Sequence, residues 1–349
     1  MREKRIAFLS FTERGRVLAE QLCAALGGRA DCTRDGTDLR TWTERCFSDS
    51  SALVYIGAVG IAVRAVGPLL RSKATDPAVV AVDELGRFAV PLASGHLGGA
   101  NALARRIASV CGATPVITTA TDVNGVFAVD EWARIQGLSV VETERIKAVS
   151  AGVLAGEPVT VCSAFPILGE PPEGIVPTPE EPADVYLDVA RRPGLCLVPQ
   201  ALILGVGCRR GVTREQLDRA FERFCAERNI WPQAVAAAAS IDRKADEAGL
   251  LEFCTARDIE LLTFTAEELK AVPGQFTASA FVMEQVGVDN VCERSAVLAS
   301  GGKLLSGKWT DSGVTFALAR MDRSFDWRWQ DGETVCGGHW TGGPALSDK

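Results

Sequence analysis

The chain is poor in the residue that most often handles protons near neutral pH, with 2 histidines in 349 residues. No C-x-x-C pair occurs among its 11 cysteines. The odd count, with Cys23, Cys111 and Cys225 set among apolar neighbours, argues against a disulfide framework and against metal sites made by local cysteine pairs. These thiols read as small hydrophobes. No apolar run reaches the ~18 residues that cross a bilayer. The opening "MREKRIAFLSFTERGR" has charges on both sides of a short apolar strand and so lacks a signal peptide's apolar region. A cytoplasmic protein without a membrane partner is expected. A basic block is missing too: 37 Lys and Arg stand against 44 Asp and Glu, a net charge of −7, which speaks against nucleic acid. An acidic protein can still bind an acidic small molecule if its cations gather in one pocket.

What is present is an ordinary globular composition, 47% hydrophobic and 23% charged. The length suits two or three domains of about 100–200 residues. Strand and helix signals alternate early: "KRIAFLS", "TERGRVLAEQLCAALGG", "ALVYIGA", "GIAVRAVGPLL". "AVVAVDELGRFAVPL" suggests a hairpin, followed by the helix "GHLGGANALARRIASVCG" and a strand "TPVITT". A second strand–turn–helix unit opens at "ALILGVGCRRGVTREQL", with Thr213 as N-cap and Glu215 in the first turn. The predicted class is α/β, two open sheet units joined by a smaller middle segment. The boundaries are an N-terminal domain at 1–126, a middle segment at 127–199, a C-terminal domain at 200–321 and an extension at 322–349. The middle segment, crowded with proline and glutamate, reads as loop-rich and poorly suited to chemistry.

"GVGCRRG" follows a strand, but its glycine spacing is not the dinucleotide fingerprint, which counts against a nicotinamide oxidoreductase. Arg209 and Arg210 at that helix start still suit an anion. "SGHLGGAN" places His96 between Gly95 and the pair Gly98–Gly99, where a strand becomes a helix and backbone can approach a ligand closely. It has no Walker lysine, so triphosphate binding is not expected. "TTATDVNG" brings Thr121, Asp122 and Asn124, residues that orient a histidine, bind a ligand or simply make a turn. Arg64 and the loop "RSKATDP", with Lys73 and Asp76, were expected on the same face, because loops after successive strands of one sheet converge. Lys244 in "SIDRKADEAGL" and Glu284 in "FVMEQVG" suit a ligand or a solvated helix face equally. Cys336 and His339 are spaced as a weak metal pair.

Taken in order, these segments resemble the CbiG-type cobalt-precorrin-5A hydrolases of anaerobic cobalamin biosynthesis. The resemblance rests on Gly57–Gly125, with "LASGHLGGANALARRIA", and on "LGVGCRRG", "SIDRKADEAGLLEF" and "FVMEQVGVDNVCERSAVLASGG". The family usually has a lysine-rich stretch where this chain reads "KLLSGKWTDSG", so no role carries over to Lys308. The resemblance implies a tetrapyrrole substrate whose ring-A acetate closes a δ-lactone onto C-20. Water opens the lactone, and C-20 leaves with its methyl group as acetaldehyde. It implies no protein cofactor, since the cobalt is carried by the substrate, and it leaves room for a homodimer and for transient contact with other cobalamin-pathway enzymes. A non-catalytic corrinoid carrier is the alternative. His96 is then the expected proton carrier, oriented by Asp122, with the Gly98 and Gly99 amides as an oxyanion site. Arg64, Lys73, Gly95, Asn101, Thr121, Asn124, Arg209, Arg210, Lys244 and Glu284 are the expected substrate contacts. Loop tips of the two sheet units would meet across one cleft.

Overall fold

A computed structural model describes residues 5–73 and 75–329. Its N-terminal unit runs β1 (Ile6–Ser10), α1 (Glu13–Leu26), β2 (Arg29–Cys32), α2 (Leu39–Asp49), β3 (Ala52–Ile56), α3 (Val59–Val66), β4 (Ala78–Val82), β5 (Phe88–Ala93), α4 (Ala100–Cys111) and β6 (Thr114–Pro115). The sheet order is β2-β1-β3-β4-β5-β6. Helices cover both faces, so Phe8, Val54 and Val80 pack on one side while Leu9, Leu53, Tyr55 and Val79 pack on the other. That two-sided burial explains the near-continuous apolar runs of β3 and β4.

Strand direction in this sheet decides where the loop after β5 lies. β1 to β4 are parallel, but β5 pairs with β4 antiparallel, Val79 facing Ala93 and Val82 facing Ala89. The expected hairpin is therefore present, and it turns β5 over. The carboxyl end of β5 lies beside the amino ends of β4 and β3, not beside the loop after β3. Of the strand expected over Thr114–Thr119, only Thr114–Pro115 pairs, at the sheet edge, where proline's missing N–H is tolerated.

The middle segment departs from its loop-rich reading. After the short α5 (Ala120–Asn124) come α6 (Val129–Ile135), β7 (Leu138–Val141), α7 (Ile146–Leu154), β8 (Val159–Ser163), β9 (Ile167–Leu168), β10 (Ile175–Pro177), β11 (Val185–Leu187) and β12 (Leu195–Pro199). β7, β8, β10, β11 and β12 form a five-stranded sheet of their own, ordered β10-β8-β11-β12-β7. β10 and β11 are only three residues long, and Pro177 and Pro199 are the last residues of β10 and β12. Segments so short carry too little periodicity to read.

The C-terminal unit comprises β13 (Leu202–Cys208), α8 (Arg214–Glu227), β14 (Val235–Ile241), α9 (Ala248–Ala256), β15 (Glu260–Phe264), α10 (Ala266–Ala271), α11 (Ala280–Val286), α12 (Cys292–Ser300), β16 (Lys303–Asp311) and β17 (Val314–Arg320). Its sheet order is β15-β14-β13-β17-β16. Thr213 caps α8 as expected, in a capping box with Gln216. One apolar core runs from Phe127 and Trp132 through Leu197 to Phe221 and Phe316, so the middle sheet packs with the C-terminal unit instead of linking past it. The start of the extension returns to this core: β18 (Phe325–Asp326) pairs with β9, and Trp327 stacks on Trp132 at 5.0 Å. Among the described residues no helix is long and apolar enough to cross a membrane.

Gly205 and Gly207 of "GVGCRRG" have a packing explanation. A Cβ on Gly205 would lie 1.7 Å from the Cys292 carbonyl oxygen, because α12 crosses directly over β13 there. Gly205→Ala is therefore expected to cost about 2–3 kcal/mol by overpacking, read as a lowered urea midpoint with an unchanged m-value. An unshifted midpoint would show that α12 does not press on this strand.

Candidate active site

His96 sits in the loop between β5 and α4. Ser94 turns the chain through a left-handed conformation (φ 57°), and Gly98 packs so closely behind it that a Cβ there would lie 2.3 Å from the Ser94 Cβ. The loop is thereby wound tightly enough for its carbonyls to cap the helix. The amides of Gly99, Ala100 and Asn101 donate to the carbonyls of His96, Ser94 and Gly95 at 2.9, 3.0 and 2.9 Å. The Gly99 amide is thus taken up internally and is not free for an oxyanion. Gly98 has no such acceptor among the described residues.

The imidazole lies between two carboxylates. Its Nδ1 is 2.9 Å from Asp130 Oδ1, and its Nε2 is 2.6 Å from Asp122 Oδ2. Burial by itself would lower the His96 pKa, but hydrogen bonds and charge from Asp130 and Asp122 outweigh it and raise the value to about 9. At neutral pH the ring is therefore an imidazolium, donating from both nitrogens. Burial likewise works against the Asp122 anion, yet the hydrogen bonds from Arg105 and His96 hold its carboxyl below the usual range. Arg105 donates to Asp122 Oδ1 at 2.5 Å, and the Asn101 amide to Oδ2 at 3.0 Å. The result is a linear chain of alternating charge, Arg105–Asp122–His96–Asp130. The carboxylates stand at opposite ring nitrogens, and among the described residues no group of three or more His, Cys, Asp or Glu side chains is arranged around a common point for a metal.

Beside this chain opens a cavity of about 630 Å³, lined among others by Gly98, Arg105, Arg106, Asp122, Arg134 and Trp329. His96 does not line it; of the charge chain, Asp122 and Arg105 do. Arg134 is held by Glu131 at 2.8 and 3.0 Å. Arg106 is exposed and has no side-chain partner among the described residues. The cavity floor includes Ile6, Ala52 and Ala78, the first residues of β1, β3 and β4, as the inverted β5 requires. The opposite wall comes from α6 of the middle segment and from Trp329, which packs edge-on against Phe127 at 5.7 Å.

The expected site residues separate accordingly. His96, Asp122, Asn101, Gly95, Gly98 and Gly99 come together. Thr121 is buried beside them, with a hydroxyl that lacks a partner. Asn124 caps its own turn, donating to the Ala120 carbonyl at 2.8 Å. Arg64 and Lys73 are exposed and do not line the cavity, and Asp76 accepts the Arg71 and Ser72 amides at 2.8 and 2.9 Å to shape its own loop. Arg64 follows β3, whose carboxyl end points away from that of β5. Arg209 and Lys244 line a different cavity in the C-terminal unit, which shares no lining residue with the first. Among the described residues the cavity beside His96 is faced by the middle segment and Trp329, and its lining includes no residue of the C-terminal sheet unit. Arg210 lies 4.0 Å from Asp246 on the surface, and Glu284 is exposed outside both cavities. Cys336 and His339 lie outside the described residues.

Sequence reasoning missed Asp130, Arg105, Arg106, Arg134 and Trp329. The available signal was "AVDEWARI", two adjacent acids within an apolar helical stretch. Both Asp130 and Glu131 are buried, which acidic residues rarely are without partners.

Two family models match the chain: "Cobalamin synthesis G N-terminal" over residues 41–122 and "Cobalamin synthesis G C-terminus" over residues 202–319. The chain is 35% identical over 297 residues to the cobalt-precorrin-5A hydrolase of Salmonella typhimurium, covering 78% of this chain and 83% of that protein. It is 31% identical to the cobalt-precorrin-5A hydrolase of Priestia megaterium, covering 78% and 79%. A solved cobalamin biosynthesis protein G homolog from Sulfolobus solfataricus aligns over 91% of this chain and 97% of its own, with 21% identity and a TM-score of 0.39. With one model matching the unit that carries His96, the other the unit that carries the glycine-rich β13, and 35% identity over most of a curated relative, the chain belongs to the cobalamin synthesis G family.

Proposed function

We propose that this protein is a cobalt-precorrin-5A hydrolase, acting on a tetrapyrrole that carries its own cobalt. The observation that carries the reading is 35% identity over 297 residues to a relative of that name, across a region that includes the whole His96–Asp122 loop pair. The cavity suits such a substrate. A volume of about 630 Å³ falls within the roughly 300–1,000 Å³ of ligand pockets, and three arginines suit a rim of acetates and propionates. Trp329 offers a flat apolar face on one side.

The charges divide the work. Lactone opening needs a base for water and donors for the developing oxyanion. Asp122 faces the cavity, ionised and aligned, so it accepts the proton from water. His96, already protonated, fixes the Asp122 carboxylate and keeps it charged. The Gly98 amide and the Arg105 guanidinium are the donors nearest to hand. As the lactone C–O bond breaks, Asp122 returns its proton to the departing C-20 oxygen and is ionised again; the C-20 hydroxyl then loses that proton, the electron pair of the bond from C-20 to the ring passes into the conjugated macrocycle, and C-20 departs with its methyl group as acetaldehyde. Asp122 serves this second deprotonation as well.

Single-turnover release of acetaldehyde from cobalt-precorrin-5A, with and without protein, tests the reading. A hydrolase accelerates release at least about a hundredfold. A carrier that only shelters the macrocycle leaves the rate at its solution value, and that result would overturn the proposal. Within this reading Arg106→Ala should raise KM about tenfold with kcat unchanged, because one charge-assisted carboxylate contact is removed from ground and transition states alike.

A further inference from the structure

The second cavity, about 360 Å³, opens at the carboxyl ends of the parallel strands β13 and β14, where ligands of open α/β sheets bind. Three cations line it, Arg209, Lys244 and Lys308, and among its described lining residues no Asp or Glu occurs. That asymmetry is unusual in a chain of net charge −7. The nearby acids are already committed. Glu247 receives Lys244 Nζ and the Gly211 amide, both at 2.8 Å. Glu293 is buried and takes four neutral donors: the Thr277 amide and hydroxyl, the Asn290 side-chain amide and the Lys308 backbone amide. This leaves the Lys308 ammonium, on a half-buried residue, and the Arg209 guanidinium, on an exposed one at the mouth, without a side-chain partner among the described residues. A cation partly removed from water costs free energy until an anion joins it. Between the cations the wall is apolar, made by Ile241, Val282, Val286 and Val291.

We propose that this cavity is a carboxylate site, taking a compact apolar body that bears one or two carboxylates, too small a space for a whole tetrapyrrole. Lys308 and Arg209 hold the acid groups, and the valine wall holds the body. The Cys208 and Cys292 thiols in its lining are pushed up to about 11 by burial, so they stay neutral and add no repulsion. The inference stands apart from the hydrolase reading, since it uses only this cavity's charges and walls. Two sources share the chemistry: a separate small acid, or one pyrrole ring of the substrate with its acetate and propionate arms.

Calorimetric titration of the full chain with 4-(carboxymethyl)-1H-pyrrole-3-propanoic acid, a pyrrole whose only charged groups are one acetate and one propionate, provides the test, with its dimethyl ester as the neutral control. Saturable binding of the acid but not the ester is expected, weakened about tenfold in Lys308→Gln and again in Arg209→Gln. Lys244 is left alone, because its removal would strand the buried Glu247. Circular dichroism confirms that both variants fold. Absence of binding by the wild-type chain, or binding indifferent to both substitutions, overturns the proposal. If binding is lost and the KM for cobalt-precorrin-5A rises with it, the occupant is an arm of the substrate; if KM stays constant, it is a separate acid.

Discussion

Asp122→Asn should lower kcat for acetaldehyde release by about 10³-fold while leaving KM within a small factor. General base catalysis contributes roughly 10²–10⁴, and the amide keeps the shape of the carboxylate but cannot take a proton. Asp122 faces the cavity, whereas His96 does not, and both imidazole nitrogens are already engaged with carboxylates. The pH profile separates this assignment from one that makes histidine the base. With Asp122 as base, activity persists well into the acid range, since the His96 and Arg105 contacts keep its carboxyl below ordinary values. Activity then declines as pH rises past about 9, where the imidazolium that orients it loses its proton. A histidine base would produce the opposite ascent, inactive while protonated and active above its pKa. If Asp122→Asn retains kcat within threefold, the proton passes elsewhere.

His96→Ala should destabilise the fold by about 3–5 kcal/mol at pH 6, because it leaves Asp130 and Asp122 facing a void without their shared cation. The pH dependence has a fixed sign. In the unfolded chain the imidazole titrates near 6.5, and in the folded chain near 9. Its stabilisation is complete below about pH 6.5 and is lost as pH climbs through 9. The shift corresponds to about 3 kcal/mol. Half-buried Cys208 and buried Cys225, Cys254 and Cys292, pushed up to about 11 or 12, also withdraw stability once unfolded thiols ionise above about pH 8.5. Urea titrations of wild type and variant at pH 6 and 9.5 therefore have to be compared as differences. The gap between the two proteins should shrink by about 3 kcal/mol over that range. A constant gap would mean that His96 is neutral in the fold.

The two experiments read different halves of one device. Asp122 is expected to fail in rate and His96 chiefly in stability and in the alkaline limb. Asp130, buried behind the imidazole, acts only through it: Asp130→Asn should bring the alkaline limb down in pH while sparing the acid side. Because the chain has only two histidines, the His96 ring signals can be followed directly by NMR.

Local patterns carried much of the architecture. The α/β class, the hairpin at Glu84–Gly86, the Thr213 cap and the strand-to-helix setting of His96 all depend on residues within a few positions of one another. Asp122 was legible only as one candidate partner for His96, because an acid beside glycine after a strand serves a turn equally well. Asp130 was not, since nothing within its helix shows that an acid there will meet an imidazole 34 positions earlier. The middle sheet was hidden by strands too short to show a period.

By itself the amino-acid sequence determined that the chain would build layered α/β units and place a rare histidine in a glycine-rich turn from strand to helix. Tertiary structure alone decided which groups that histidine meets. The reversal of β5 moved its loop to the far end of the sheet, away from Arg64, and the packing of the middle unit brought Asp130, Arg134 and Trp329 across from it. Strand direction and unit docking are set by contacts summed over a whole sheet, and no short stretch of residues encodes them.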